Sequence, residues 1–351
     1  MLAVQDTSDS SLSHFFSGER RKAARAVLVD TEPKAERCDY LEGMVMLHSA
    51  SGGTGSGLGS YLTELLADAY PSAALLNCVV CPYSAGEVSV QNFNLLLTLS
   101  RLAEHSSAVL AIENDQAGNI CRQVLKLERP TFRDLNDVIA THITAAVVPS
   151  TLAASNAGAV PQMPRASAAF TSDTWPAITK RLHQMHVCGA AHDLCLDWRV
   201  TPQPSENFNF NSTSNFNKSV SSLVTLHGHD AAPGPAAAPV AMPGASESTA
   251  AGFTADMFGN ADLYAAWCQA PAMVCTSALP LNGFERSASL LSNSQSVLRV
   301  FDAATPRAQQ MFAARAFVHQ YQQHGLETAD FEAALMWAEQ TRLNYRGLSH
   351  G

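Results

Sequence analysis

Five glycines fall within eight positions in the run SASGGTGSGLGSYL, residues 49–62. The apolar run Met44-Val45-Met46-Leu47 precedes it. After it, Leu58, Leu62, Leu65, Leu66 and Ala69 share one helical face until Pro71 stops the pattern. Strand, glycine loop and helix in this order restrict the fold more than any other feature of the chain. Glycine removes the Cβ where the backbone turns sharply, so successive N–H groups can converge on one anion. The helix expected from Leu58 adds the positive end of its dipole, and Thr54 and Ser56 add hydroxyl donors. Two common phosphate loops are excluded directly. A P-loop ends in Gly-Lys-Ser/Thr, but Leu58 follows Gly57. The dinucleotide pattern Gly-x-Gly-x-x-Gly finds Ser60 after Gly55 and Gly57, and Leu58 after Gly53 and Gly55.

The surrounding chain alternates strand and helix. Residues 26–29, 44–47, 75–80 and 108–112 read as buried strands, and residues 94–102, 116–127 and 132–146 as helices, with Thr131 and Asp134 suited to start the last. Apolar strands separated by helices predict an α/β fold with a doubly wound parallel sheet. Composition then shifts. Residues 151–169 are rich in Ala, Ser, Pro and Gly and read as a connector, and residues 231–251 form a low-complexity insert too poor in bulky apolar groups to fold alone. A helix at 175–187, a strand at 220–226 and a strand-rich part at 287–298 lead to helices at 306–324 and 328–343. Pro306 suits a first helical turn, Gly325 a position just past a helix end, and Thr328 a cap. The expected organisation is a variable segment 1–22, a partial nucleotide-binding domain 23–150, an α/β domain 151–305 carrying the insert, and a helical region 306–351.

Bulk chemistry excludes several functions. The net charge is −9 and the densest basic stretch is Arg20-Arg21-Lys22, which argues against nucleic acid as a partner. No apolar run approaches the roughly 20 residues of a membrane span, so no membrane partner is expected, and residues 1–22 lack the apolar core and cleavage site of a secretory signal. Eight cysteines are scattered, several inside apolar runs, as in a chain with reduced thiols. Cys78 and Cys81 form a CxxC inside an apolar strand with no second pair. His183, His186, Cys188, His192 and Cys195 lie close in sequence but read better as packing around one helix than as zinc ligands. Neither Ser60 nor Ser84 sits in a nucleophile elbow.

The loop does resemble that of the tubulin family, whose Gly-Gly-Thr-Gly-Ser-Gly core surrounds the phosphates of GTP without a lysine. Further blocks follow in the family order. Residues 23–34 (AARAVLVDTEPK) resemble its second strand and Asp-x-Glu-Pro turn, and residues 87–94 (EVSVQNFN) its acidic ribose loop and following helix. Residues 112–115 (IEND) resemble the segment whose Asn reads guanine, residues 130–138 (PTFRDLNDV) the helix that stacks an aromatic on the base, and residues 314–325 (ARAFVHQYQQHG) the outer-face helix. Residues 86–92 (GEVSVQN), with 292–295 (SNSQ) and 319–321 (HQY), are most similar to the delta branch.

The resemblance implies site roles. Ser51, Gly52, Gly53, Thr54, Gly55, Ser56 and Gly57 would cradle the phosphates through backbone N–H groups, with Ser49 at the entrance and Thr54 at the terminal phosphate. Glu32 would approach Mg2+ through water. Glu87 would accept from the ribose, Asn114 and Asn136 would read the guanine edge, and Phe132 would stack on the ring. It also implies other tubulin chains as partners, in cytoplasmic cytoskeletal structures: microtubules, and centrioles or basal bodies of cilia. Departures from the family are equally specific. Its first phosphate loop, Gly-Gln-Cys-Gly-Asn-Gln, has no counterpart before Arg20, and between Pro33 and Cys38 the chain skips the loop that closes over the terminal phosphate. Residues 151–169, which stand where alpha-type chains carry a catalytic acid, contain no Asp or Glu. GTP turnover is therefore expected to be weak at most and to need a partner subunit. A nucleotide-free interaction fragment and a dinucleotide-dependent enzyme remain as alternatives.

Overall fold

The computed structural model describes residues 16–17, 23–24, 41, 43–84, 89–147, 174–190, 217–228, 231, 250–269, 271–278, 280–281 and 284–349. The expected strand at 26–29, the connector 151–169 and positions 232–249 of the insert lie outside them.

The first sheet is parallel throughout. β1 (Gly43–Ser49) is followed by α1 (Gly59–Ala69), β2 (Ala74–Cys81), α2 (Gln91–His105), β3 (Ala108–Glu113) and, after a short helical stretch from Asn114, α3 (Phe132–Val147). Strand order is β1-β2-β3, with Gly43 opposite Ala74 and Leu76 opposite Ala108. β2 (ALLNCVVC) is apolar on both faces because both are covered. Val79 and Cys81 pack with Phe93, Leu96 and Leu102 of α2, whereas Val80, Leu110 and Ile112 pack on Leu135, Val138 and Ile139 of α3. Alternate strand residues meeting helices on opposite faces is the doubly wound arrangement predicted from the alternating pattern. A capping box starts α3: the Thr131 N–H and hydroxyl each donate to Asp134 at 2.7 Å.

The second sheet has three strands. α4 (Trp175–Cys188), β4 (Ser219–Gly228), α5 (Ala250–Phe258), β5 (Ala272–Ser277) and β6 (Arg286–Ser294) follow in order. β4 is central, parallel to β5 and antiparallel to β6. Val224 and Leu226 of β4 pack against Trp175 of α4 and Phe258 of α5.

The C-terminal layer differs from expectation. A single helix over 306–324 is replaced by α6 (Leu298–Ala313), a break, and a short helix Val318–Gln322 before α7 (Thr328–Gly347). Ser294 sets the start of this region by accepting from the Ser296 N–H, so Pro306 falls inside α6 rather than in a first turn. The break is a Schellman motif: Ala316 N–H donates to the Met311 carbonyl at 2.8 Å and Arg315 N–H to Phe312 at 2.9 Å, with Arg315 at φ 50°. Gly189 (φ 63°) and Gly325 (φ 93°) terminate helices in the same way. Arg315 thus holds a left-handed position that costs a non-glycine residue about 1 kcal/mol. Arg315→Gly is expected to stabilise the fold by a few tenths to about 1 kcal/mol, read as a shift of the urea midpoint at unchanged slope. Thr328 is not the cap either. Glu327 is, and its N–H donates to Asp330 at 2.7 Å within a capping box.

This layer packs on α2. Phe93 and Leu96 share one core with Val300, Phe301 and Ala304 of α6 and with Phe331 and Ala338 of α7. Phe93 meets Phe331 edge-on at 5.0 Å, and Tyr321 meets both rings edge-on.

Candidate functional site

β1 delivers the glycine loop at the C-terminal edge of the parallel sheet. Ala50 is fully buried and extends the ladder by donating its N–H to the Val80 carbonyl at 3.1 Å. The chain then folds over itself: Ser51 N–H donates to the Ser49 hydroxyl oxygen, and the two hydroxyls lie 2.9 Å apart. Helical backbone begins at Gly53, about five residues before the start expected at Leu58, as a π-helical turn (Thr54–Leu58) that runs directly into α1.

None of the five loop glycines has a positive φ, so the bend at Ser51 and Gly52 is made without the left-handed region. The glycines divide by environment instead. A Cβ on Gly55 would stand 2.3 Å from the Ser49 carbonyl oxygen, and one on Gly59 2.8 Å from the His48 ring. Among the described residues, nothing lies within 4 Å of a Cβ built on Gly52, Gly53 or Gly57, so these three face open space there. Ser56 is also corrected as an outward hydroxyl donor: it is buried, its hydroxyl donates to the Gly52 carbonyl, and its N–H donates to the same oxygen at 3.2 Å. Thr54 is exposed beside it.

The other expected residues reach the same sheet edge to different degrees. Ser49 pairs with Val80 and Cys81 with Glu113, so the ends of all three strands are level. Asn114 follows β3 immediately and opens the short helix Asn114–Asn119, where Asp115 accepts the Ser84 N–H at 2.7 Å. Phe132 and Asn136 lie one turn apart at the start of α3 and are exposed, Phe132 by 81%. Leu135 between them anchors that turn by packing with Ala117 and Cys121. Glu32 and Glu87 fall outside the described residues.

Comparison with known proteins agrees with this architecture. The family described as Tubulin/FtsZ family, GTPase domain matches residues 7–122. The chain is 31% identical to the tubulin delta chain of Mus musculus, over 94% of this chain and 75% of that protein. It is 30% identical to those of Canis lupus familiaris, over 94% and 76%, and Homo sapiens, over 90% and 72%. The chain belongs to the tubulin family.

Beneath the loop, this tubulin-family chain carries a buried polar network that the sequence does not announce. Asn77 is fully buried at the centre of β2. Its Oδ1 accepts from His48 Nε2 at 3.1 Å and from the Thr63 hydroxyl at 3.2 Å, and its Nδ2 donates to Ser106 at 2.8 Å. β1, β2, α1 and the end of α2 are thereby tied together under the glycines. Asn94 makes a second link to the loop. Its Nδ2 donates to the Ser51 carbonyl at 2.8 Å, and its Oδ1 accepts from the Tyr321 hydroxyl at 2.6 Å. The sequence signal at Asn77 is an Asn amid apolar neighbours, and Asn94 closes the block 87–94 that resembles the family's ribose loop and helix.

Of the cysteine and histidine clusters, Cys78, Cys81, His183, His186 and Cys188 are described, and His192 and Cys195 lie outside the described residues. Burial pushes the Cys78 thiol up to about 11 and the Cys81 thiol, also opposed by Glu113, up to about 12, which suits inert core thiols. His183 and His186 both contact Phe258, and His186 Nε2 lies 3.3 Å from the Ser219 hydroxyl. Burial, helped by His183, lowers the His186 pKa to about 4. A histidine with a depressed folded pKa contributes stability above its unfolded value of 6.5 and loses it as pH falls towards about 4. Urea unfolding at about pH 7 and about pH 4.5 should show this decline, and His186→Gln should flatten part of it.

A cavity of about 490 Å³ lies away from the glycine loop. It lies between the two sheets, walled by Ile112, Thr141 and His142 on one side and by Leu223, Ser287 and Leu290 on the other. Arg299 spans its margin, donating to Glu113 at 3.0 Å and to the Gly189 carbonyl at 2.6 Å. Among the described residues no helix is long and apolar enough to cross a membrane.

Proposed function

We propose that this chain is a guanine-nucleotide-binding cytoskeletal protein that assembles with other tubulin chains at centrioles or basal bodies, rather than turning over a small substrate. The observation that carries the nucleotide reading is the open face of Gly52, Gly53 and Gly57 at the start of a helical run through α1. Bare glycine backbone at a helix N-terminus, at the C-terminal edge of a parallel sheet, suits a phosphate group. Ser49 and Ser51 hold the entrance, and Thr54 presents the exposed hydroxyl. Ser56 holds the turn shut from inside, and Gly55 lets it close against β1. Asn114, Asn136 and Phe132 take the guanine base and Glu87 the ribose, as the family resemblance implies. Glu32 and Mg2+ enter on that resemblance alone. GTP hydrolysis is at most slow and needs an acid from a neighbouring subunit.

Thermal unfolding with GTP–Mg2+, GDP, ATP and NAD tests this reading. A guanine nucleotide at about 100 times its dissociation constant adds about 2.7 kcal/mol, a shift of several degrees. Stabilisation by NAD alone would sink the proposal. Stabilisation by none of the four would make the chain a nucleotide-free member of its family. Asn114→Ala is expected to remove the preference for guanine over adenine nucleotides at unchanged fold stability. For the assembly reading, a tagged chain in ciliated cells should concentrate at basal bodies, and a diffuse cytoplasmic signal contradicts it. Both relatives and loop support this function, the delta chains by likeness and the loop by shape.

A further inference from the structure

The glycine loop is held from behind by two side chains that do not belong to it. Asn94 lies on α2 and Tyr321 on the short helix of the C-terminal layer, separated by more than half the chain. The amide bridges them: it donates to the Ser51 carbonyl and accepts from the Tyr321 hydroxyl. A trans peptide directs its N–H and C=O in opposite senses. Fixing the Ser51 carbonyl towards Asn94 therefore aims the Gly52 N–H to the opposite side, where Gly52 and Gly53 face open space. The Ser51 carbonyl fixes which way the amide points, because a carbonyl only accepts and so takes Nδ2, which leaves Oδ1 to accept from the Tyr321 hydroxyl. Tyr321 is itself immobilised by edge-on contacts with Phe93 and Phe331, and burial keeps its hydroxyl protonated up to about 12.

We propose that Tyr321 and Asn94 form a positioning pair that orients the Ser51–Gly52 peptide of the phosphate loop, making anion affinity at the loop depend on the docking of the C-terminal helical layer. This rests on the nucleotide reading above, and it goes beyond it by placing a determinant of loop geometry outside the loop. Neither residue touches the phosphate; both act through one peptide plane. The coupling runs both ways, since a ligand that prefers the oriented loop also favours the docked layer.

Tyr321→Phe deletes the hydroxyl and keeps the ring packing. It is expected to weaken GTP–Mg2+ binding about three- to tenfold, the effect of one hydrogen bond. Amide exchange of the segment around residues 49–58 in the nucleotide-free protein should accelerate. Asn94→Ala should weaken binding further, and adding Tyr321→Phe to it should change nothing more, because the tyrosine acts only through the amide. Arg342→Met supplies the control. It loosens the α6–α7 contact to Asp302, at 2.8 Å, without touching the pair, and should leave both readouts unchanged. Unchanged affinity and exchange in Tyr321→Phe, additive losses in the double variant, or an equal loss in Arg342→Met would each overturn the proposal. If the parent protein binds no nucleotide, the functional reading fails by itself. Loop exchange in Tyr321→Phe then still decides the positioning role: acceleration upholds it and no change refutes it.

Discussion

Gly55→Ala is expected to lower the stability of the folded chain by about 3 kcal/mol, near the upper end for overpacking by one methyl group. The atoms the new Cβ would meet are backbone: the Ser49 oxygen at 2.3 Å, its nitrogen at 2.9 Å and its carbonyl carbon at 3.1 Å. Ser49 cannot withdraw, because it is paired with Val80 in the ladder. The π-helical turn must lift instead, which breaks the bonds from Ser56 to the Gly52 carbonyl. Gly57→Ala is the matched comparison, since nothing among the described residues lies within 4 Å of its Cβ position. It should change stability by less than about 1 kcal/mol, with helix propensity favouring alanine. It should still weaken guanine-nucleotide binding by placing a methyl group on the open face. Urea unfolding with a parallel GTP titration separates the two roles. Equal destabilisation by both substitutions would refute the division of the glycines into close-approach and open positions.

Asn77→Ala is expected to cost a similar amount, about 3 kcal/mol, by breaking a buried polar network. The substitution removes one acceptor shared by His48 and Thr63 and one donor to Ser106, at a fully buried position. The partners cannot all find substitutes. Thr63 retains its bond to the Gly59 carbonyl at 2.8 Å, so Thr63→Val should cost only about 1 kcal/mol. Because Asn77 braces the strand that carries the loop and the helix that follows it, Asn77→Ala should also raise amide exchange around residues 59–69. A stability loss equal to that of Thr63→Val would show that the network is not the unit it forms in this structure.

Much of the fold was legible because its signals are local. The apolar run of β2, broken only by Asn77, the 3.6-residue spacing after the glycines and the Thr131–Asp134 pair each act within a few residues, and each produced the element predicted for it. Pro306 shows the opposite case. Its local preference for a first turn lost to Ser294 and to the burial of Val300, Phe301 and Ala304 on α2, which extend the helix upstream through it. Arg315 shows it again, since no arginine signals a left-handed helix end in sequence.

The candidate site divides in the same way. Glycine spacing and the missing lysine excluded two loop types and, with the neighbouring blocks, pointed to the tubulin family, because residue identity alone decides those questions. Which glycines touch backbone and which stand open, that Ser56 turns inward, and that Asn94 and Tyr321 meet behind Ser51 depend on contacts between segments far apart in the chain. Such contacts leave no periodic trace in sequence. They arise only when helix, strand and C-terminal layer close around one another, so the tertiary structure alone decided which side chains shape the loop.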